Sequence, residues 1–149
     1  MENQKLINFL NQLLSNQFVM YVKLHRYHWF VQGRHFFQLH KIFEEMYTKL
    51  AVDIDEVAER ILMIDGKPLA TMSKYLKEAT LVEANADDEE DEIIDQLHHD
   101  YKQMMDEIRD IGFKLAEERN DEPTKDLLIS LLGSYEKYVW MLSAYRAYK

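Results

Sequence analysis

Six histidines stand at positions 25, 28, 35, 40, 98 and 99, and cysteine is absent. Any metal held by this chain must therefore be bound by imidazole and carboxylate, which narrows the candidates toward iron, manganese or zinc. Neither a disulfide framework nor a thiol nucleophile is available. His40 has informative company, because Glu44, Asp55 and Glu59 follow it in a stretch that reads as one helix. At about 100° per residue, the four fall within about 100° of one another on a single face. They cannot meet within that helix, since about 28 Å of axis separates His40 from Glu59. Their spacing is palindromic: His40/Glu59 and Glu44/Asp55 share one midpoint, between residues 49 and 50. Two copies of the helix packed antiparallel about a two-fold axis near Lys49 and Leu50 would bring His40 beside Glu59 of the partner subunit, and Glu44 beside Asp55 of the partner subunit. Two identical mixed sites would result. His28 joins them, because His28 and His40 are equidistant from a turn near Arg34 and antiparallel helices place equidistant residues side by side. Two imidazoles with two or three carboxylates, no sulfur and room for solvent suit a redox-active iron better than a closed structural zinc.

A charged helix also places four polar groups on one face merely to meet water. The neighbourhood weighs against that alternative. Trp29, Phe36, Phe37, Phe43 and Tyr47 crowd the same region, and carboxylates among aromatic rings usually need a cation. The within-chain di-iron site of helical bundles uses a Glu-x-x-His step on two helices, and no glutamate here has histidine three residues later. An ordinary ferritin centre is not expected.

The elements that must carry these residues are long helices. Only four glycines and two prolines interrupt 149 residues, and there is no strand-like alternation. Apolar residues recur at helical spacing from Leu6 through Leu10, Leu13, Leu14, Phe18, Tyr21 and Val22, predicting a first helix over about 6–32. Gly33 breaks it. A second helix runs over about 36–64 until Asp65-Gly66-Lys67-Pro68 ends it, so the first two form a tight hairpin. A short helix is expected near 73–79. Asp87-Asp88 offers an N-cap for a third helix over about 88–118, and the run 87–92 reads as its solvated, dipole-favoured start. Asn120-Asp121-Glu122-Pro123 is a turn with proline at the start of a fourth helix that continues through Leu142. Helices of roughly 25 to 30 residues are about 40 Å long, and the connection over 65–87 is far longer than a hairpin needs, so it can cross the bundle lengthwise. The expected fold is all-α: a ferritin-like four-helix bundle with a long crossover, carrying a short helix, between helices 2 and 3. One domain, 1–149, accounts for the length.

Lysine and arginine total 18 against 27 aspartate and glutamate, a formal charge of −9. That is the wrong sign for a surface that grips phosphate backbones throughout. The start, MENQKLINFL, carries Glu2 in its first turn and lacks the pattern of a signal peptide, and no apolar run approaches membrane-spanning length. A soluble cytoplasmic protein is expected, with no membrane partner.

The stretch Tyr27-His28-Trp29-Phe-Val-Gln-Gly33, followed by Phe-Phe-Gln-Leu-His40-Lys-Ile-Phe-Glu44-Glu-Met-Tyr47 and Asp55-Glu-Val-Ala-Glu59-Arg60, strongly resembles the Dps family of mini-ferritins, DNA-binding proteins from starved cells. The resemblance covers essentially the whole chain. It implies a hollow homo-dodecamer built from two-fold dimers, whose interface sites oxidise Fe(II), typically with hydrogen peroxide, and whose cavity stores the ferric mineral. The matching ligands are His28, His40, Asp55 and Glu59, with Glu44 at a position that is usually acidic and assists. In such shells iron is admitted through three-fold pores lined by carboxylates near the start of the last helix, where this chain offers Asp121 and Asp126; a turn later, where some relatives have another acid, it has Ser130. Helix capping by Asp121 and solvation of Asp126 is the competing reading of that pair.

Trp29 adjoins a ligand and could donate electrons or quench radicals, although packing is the commoner use of such a ring. Arg60 follows Glu59 and is placed to anchor that carboxylate or a neighbouring subunit. His25, one turn before His28, is a supporting or interfacial residue; Met104 and Met105 read as core or interface filler; Asp95, His98 and His99 read as solvated. Three functions compete: ferroxidase and iron store protecting against oxidative stress, a DNA-binding nucleoid-protecting protein, and a metal-free helical oligomer. Many relatives coat DNA through lysine-rich terminal tails, whereas MENQKL holds one lysine and one glutamate and the chain stops at Tyr148-Lys149 with no basic extension. DNA binding is therefore expected to be weak or absent.

Overall fold

The apolar stripe that begins at Leu6 does form one long helix, α1 (Gln4–Phe30), and it packs antiparallel against α2 (Phe36–Met63) as the tight hairpin expected from Gly33. A computed structural model describes residues 3–84 and 88–147 of the chain. Glu2, Asp87, Tyr148 and Lys149, which figured in the sequence expectations, lie outside them. After α2 come α3 (Met72–Glu78), α4 (Glu90–Glu107), a π-helical segment (Ile108–Gly112), α5 (Phe113–Glu118) and α6 (Glu122–Arg146). The chain is thus an all-helical bundle in which α4, the π segment and α5 make one long rod antiparallel in sequence order to α6, and a crossover with a short helix joins the two hairpins.

Each boundary has a local cause. Asp65 takes a left-handed backbone (φ 68°) and Gly66 N–H bonds to the Ile61 carbonyl at 2.8 Å, closing α2. Thr71 caps α3 by accepting from Lys74 N–H, and Asp121 caps α6 by accepting from Thr124 N–H, with Pro123 inside the first turn. The long third helix differs from expectation at two places. Its N-cap is Glu89, which accepts from Glu92 N–H, so the helix starts at Glu90. It also widens to a π turn at Ile108–Gly112, where Gly112 is buried against Phe9.

The crossover is held along the bundle by polar residues of α1. Asn11 Oδ1 accepts from Leu69 N–H (2.9 Å) and its amide donates to the Lys67 carbonyl (3.2 Å). Asn16, fully buried, accepts from Thr80 N–H (2.8 Å) and Leu81 N–H (3.1 Å). Lys23 donates to the Val82 carbonyl (2.9 Å) and to Asp100 (2.6 Å). Each satisfies backbone groups that a crossing loop would otherwise leave unpaired. Phe18 stacks on Tyr75 of α3 at 4.1 Å. Leucines of α1, with Phe43, Met46 and Leu50 of α2, Ile94, Leu97 and Met104 of α4, and Leu128 and Leu131 of α6, fill the core.

Candidate metal centre

Antiparallel packing across the 31–35 turn puts His28 and His40 face to face. His28 Nδ1 donates to the backbone carbonyl of His40 at 2.6 Å, and His40 Nδ1 donates to the carbonyl of His28 at 2.7 Å. Their rings stack with centroids 3.7 Å apart and planes inclined by 13°. A carbonyl oxygen only accepts, so both Nδ1 atoms carry the proton, and in the neutral rings each Nε2 lone pair is left for an electrophile. Nδ1 bound to a carbonyl is also the arrangement that orients metal-ligating histidines. His28 Nε2 lies 3.9 Å from Glu44 Oε1, longer than a hydrogen bond and close enough for both to reach one cation.

Aromatic rings surround the pair. Phe36 stacks over His40 at 5.1 Å, and Tyr47 meets His28 edge-on at 5.4 Å. His25 stacks on Tyr47 at 3.7 Å while its Nδ1 donates to the Tyr21 carbonyl. Burial, with lesser contributions from Glu44 and Tyr21, pushes the Tyr47 phenol pKa up.

Asp55 and Glu59 lie elsewhere on α2, beginning about 16 Å past Glu44 along the axis. Both are exposed, and neither has a hydrogen-bond or ion-pair partner among the described residues. Among those residues, no three His, Asp or Glu side chains of a single chain gather as a metal site. The bundle interior, where ferritin-like di-iron proteins hold their metals, contains buried Gln17, Asp53, Tyr101 and Tyr135 instead. Gln17 donates to the Tyr135 hydroxyl (3.1 Å), and Asp53 is paired with Lys49. Asp53 and the likewise buried Asp100, each already matched by a lysine ammonium, make no di-iron centre.

A ferritin-like domain is recognised over residues 7–147. The chain is 41% identical over 143 residues to DNA protection during starvation protein 2 of Bacillus anthracis, covering 96% of this chain and 97% of that one. The chain belongs to the Dps family of ferritin-like proteins. Dps of Bacillus brevis superposes with a TM-score of 0.94 at 39% identity, covering 97% of this chain and 96% of its own. Dps of Vibrio cholerae O1, described as a member of a broad superfamily of ferritin-like diiron-carboxylate proteins, superposes with a TM-score of 0.91 at 41% identity, covering 97% and 90%.

The remaining candidates of this Dps-family chain separate clearly. Trp29 is 63% exposed and meets His25 edge-on at 5.6 Å, so in the single chain it is not a core residue. Arg60 does not reach Glu59: its guanidinium donates to Thr124 Oγ1 (2.8 Å) and Asp121 Oδ1 (2.9 Å), tying α2 to the start of α6. Asp121 thus serves as the α6 cap and as the partner of Arg60 at once. Burial pushes the Asp121 carboxyl up, but the Thr124 hydroxyl and N–H and the Arg60 charge outweigh it and hold its pKa below the usual carboxylate range. Asp126 is exposed, as is Ser130. His98 is not fully solvated, since its Nε2 meets Ser143 Oγ at 3.0 Å, and Asp95 pairs with Arg146. Met104 and Met105 are buried. The acidic run starting α4 also departs from expectation, because Glu90 is buried.

Proposed function

We propose that this chain is a ferroxidase and iron-storing mini-ferritin that oxidises Fe(II), preferably with hydrogen peroxide, at sites shared by two subunits. The observation that carries the reading is the locked imidazole pair: two Nε2 atoms freed by reciprocal Nδ1–carbonyl bonds, that of His28 3.9 Å from Glu44 Oε1. His28, His40 and Glu44 of one protomer would bind Fe(II) together with Asp55 and Glu59 of its partner across a two-fold axis near Lys49 and Leu50. The separation of the two ligand sets within one chain is what an antiparallel dimer of α2 helices would correct. Two Fe(II) ions each give one electron to one peroxide, which takes two protons and leaves as two waters. Pairing the electrons avoids releasing hydroxyl radical. Trp29, next to His28 in sequence, would supply a single electron when only one iron is bound. Six such dimers would close a dodecameric shell that stores ferric mineral in the cytoplasm. In that shell an acidic inlet near the start of α6 would rely on Asp126, with Asp121 mostly committed to Thr124 and Arg60.

Anaerobic Fe(II) titration of the purified protein, followed by peroxide with absorbance recorded, tests the reading. Saturable binding and consumption of about one peroxide per two Fe(II) is expected on the paired-electron mechanism. Oxidation no faster than in a His28→Ala/His40→Ala variant would overturn it.

DNA protection is the second reading, favoured by the name of the Bacillus anthracis relative. A net charge of −9 works against direct contact with phosphates, whereas removal of iron and peroxide would protect DNA without touching it. A mobility-shift assay at low and moderate salt separates the two: retarded DNA at moderate salt would establish binding.

A further inference from the structure

One carboxylate in the acidic run at the start of α4 points away from water and away from its own helix. Glu90 is 7% exposed, and its two oxygens accept three hydrogen bonds. Oε2 accepts from the backbone N–H of His35 (3.0 Å), and Oε1 accepts from His35 Nδ1 (2.8 Å) and from the Tyr145 hydroxyl (2.7 Å). Capping of α4 does not require it, because Glu89 performs that role. The backbone beside it is locked to the same turn: Gln32 N–H donates to the Asp88 carbonyl (2.9 Å) and Glu90 N–H to the Gln32 carbonyl (3.0 Å). Gly33, at φ 148°, leaves the space that the carboxylate fills, since a Cβ there would stand 2.1 Å from Glu90 Oε2.

This turn is the hinge of the hairpin that carries the imidazoles. His35 is followed by Phe36, the first residue of α2, and Phe36 stacks on His40, which stacks on His28. We propose that Glu90 is a positioning residue for the His28–His40 pair, clamping the 32–35 turn so that α1 and α2 keep the register in which the reciprocal Nδ1–carbonyl bonds form and both Nε2 atoms stay free for metal. The inference rests on the metal-binding reading above. A shift of the turn would slide α1 past α2 and part both reciprocal Nδ1–carbonyl bonds, and a site of this kind tolerates only about 0.5 Å of such movement. Tyr145 brings the end of α6 into the same clamp, so α4, α6 and the turn converge on one carboxylate.

The test uses the whole assembled protein and Zn(II) as a redox-silent probe, titrated calorimetrically, with His28→Ala/His40→Ala defining binding elsewhere. Glu90→Ala is expected to weaken zinc binding at the histidine-dependent site about tenfold, the lower end of what lost supporting contacts cost, with Glu90→Gln and Tyr145→Phe intermediate. Asn16→Ala cuts the crossover from α1 about 18 Å away along the helix, and it is expected to lower Tm while zinc affinity stays within about twofold. Unchanged affinity in Glu90→Ala, or an equal loss in Asn16→Ala, overturns the proposal. If Glu90→Ala does not assemble, Glu90→Gln and Tyr145→Phe decide the question on the same scale. If the unmodified protein shows no histidine-dependent zinc binding, the metal reading fails, and a crystal structure of Glu90→Gln decides the clamp separately. Parted Nδ1–carbonyl contacts there support it, and an undisturbed His28–His40 pair refutes it.

Discussion

His28 and His40 hold one another by two reciprocal hydrogen bonds, each ring's Nδ1 to the other residue's backbone carbonyl, at 2.6 and 2.7 Å. Neither ring is therefore replaced independently. Removing His28 takes away one candidate ligand, the side-chain hydrogen bond to the His40 carbonyl, and one of the two rings stacked on His40, the other being Phe36. The second substitution should then cost less than the first. In a double-mutant cycle read by anaerobic Co(II) titration, the coupling between His28→Ala and His40→Ala should amount to about 0.5–3 kcal/mol. Strict additivity would show that the two rings act separately.

The Arg60–Asp121–Thr124 junction makes a prediction about acid. Asp121 has a folded-state pKa held below its unfolded value, so its contribution is fully present above the unfolded value of about 4 and is lost as pH falls through the folded pKa. Asp121→Asn keeps a capping side chain but loses the charge pair. At neutral pH the variant should be less stable than the parent, and the gap should close as pH falls below about 4. Thermal melts across that range check the sign, and a gap that widens toward acid would contradict it.

The two long hairpins were legible in sequence because burial of one stripe imposes a three-to-four spacing that nothing else in the chain imitates. The imidazole pair was legible from equidistance about Gly33 and Arg34. Glu90 was not, because an acid in the first turn of a helix reads as solvated unless its partners, here His35 and Tyr145, are known to converge from distant sequence. The Glu59 alternative for Arg60 fails for the same reason: Glu59 is its neighbour in sequence, whereas Asp121 and Thr124, which it reaches, lie 61 and 64 residues away. The π turn leaves no mark in periodicity over five residues; it falls where Gly112 packs closely against Phe9 of distant sequence.

That contact yields a packing prediction. A Cβ on Gly112 would stand 2.7 Å from Phe9 Cε2, 2.9 Å from Phe9 Cζ and 3.1 Å from Leu128 Cδ1. A ring wedged in the core cannot swing aside without displacing α1. Gly112→Ala should therefore destabilise the protein by about 1–3 kcal/mol, despite alanine's better helix propensity. Denaturant unfolding that shows a gain in stability would mean that the π turn relaxes to an ordinary helix without cost.

Asp126 is exposed one turn into α6, whereas Asp121 is committed to its cap and to Arg60. If an acidic inlet near the start of α6 concentrates Fe(II), Asp126→Asn alone should slow iron uptake at low ionic strength and leave assembly and Tm unchanged. The effect should shrink as salt screens the carboxylate. Uptake kinetics that do not change at low salt would remove Asp126 from the path.

The proposed shared centre makes the strongest forecast. If His28 and His40 serve one site with Asp55 and Glu59 of the partner subunit, then His28→Ala/His40→Ala and Asp55→Ala/Glu59→Ala should each be nearly inactive in initial ferroxidation, because every site of either homodimer lacks half its ligands. In a mixed dimer one site would draw histidines and carboxylates from the intact halves of both chains, while the other would lose everything. Random co-assembly in equal amounts makes half the dimers mixed, each with one good site of two, so about a quarter of the parent activity should return if sites act independently. A site contained within one chain forecasts the opposite, because each chain stays defective whatever its partner. With mixed dimers verified by mass spectrometry, recovery no greater than the sum of the two separate variants would exclude the intersubunit centre.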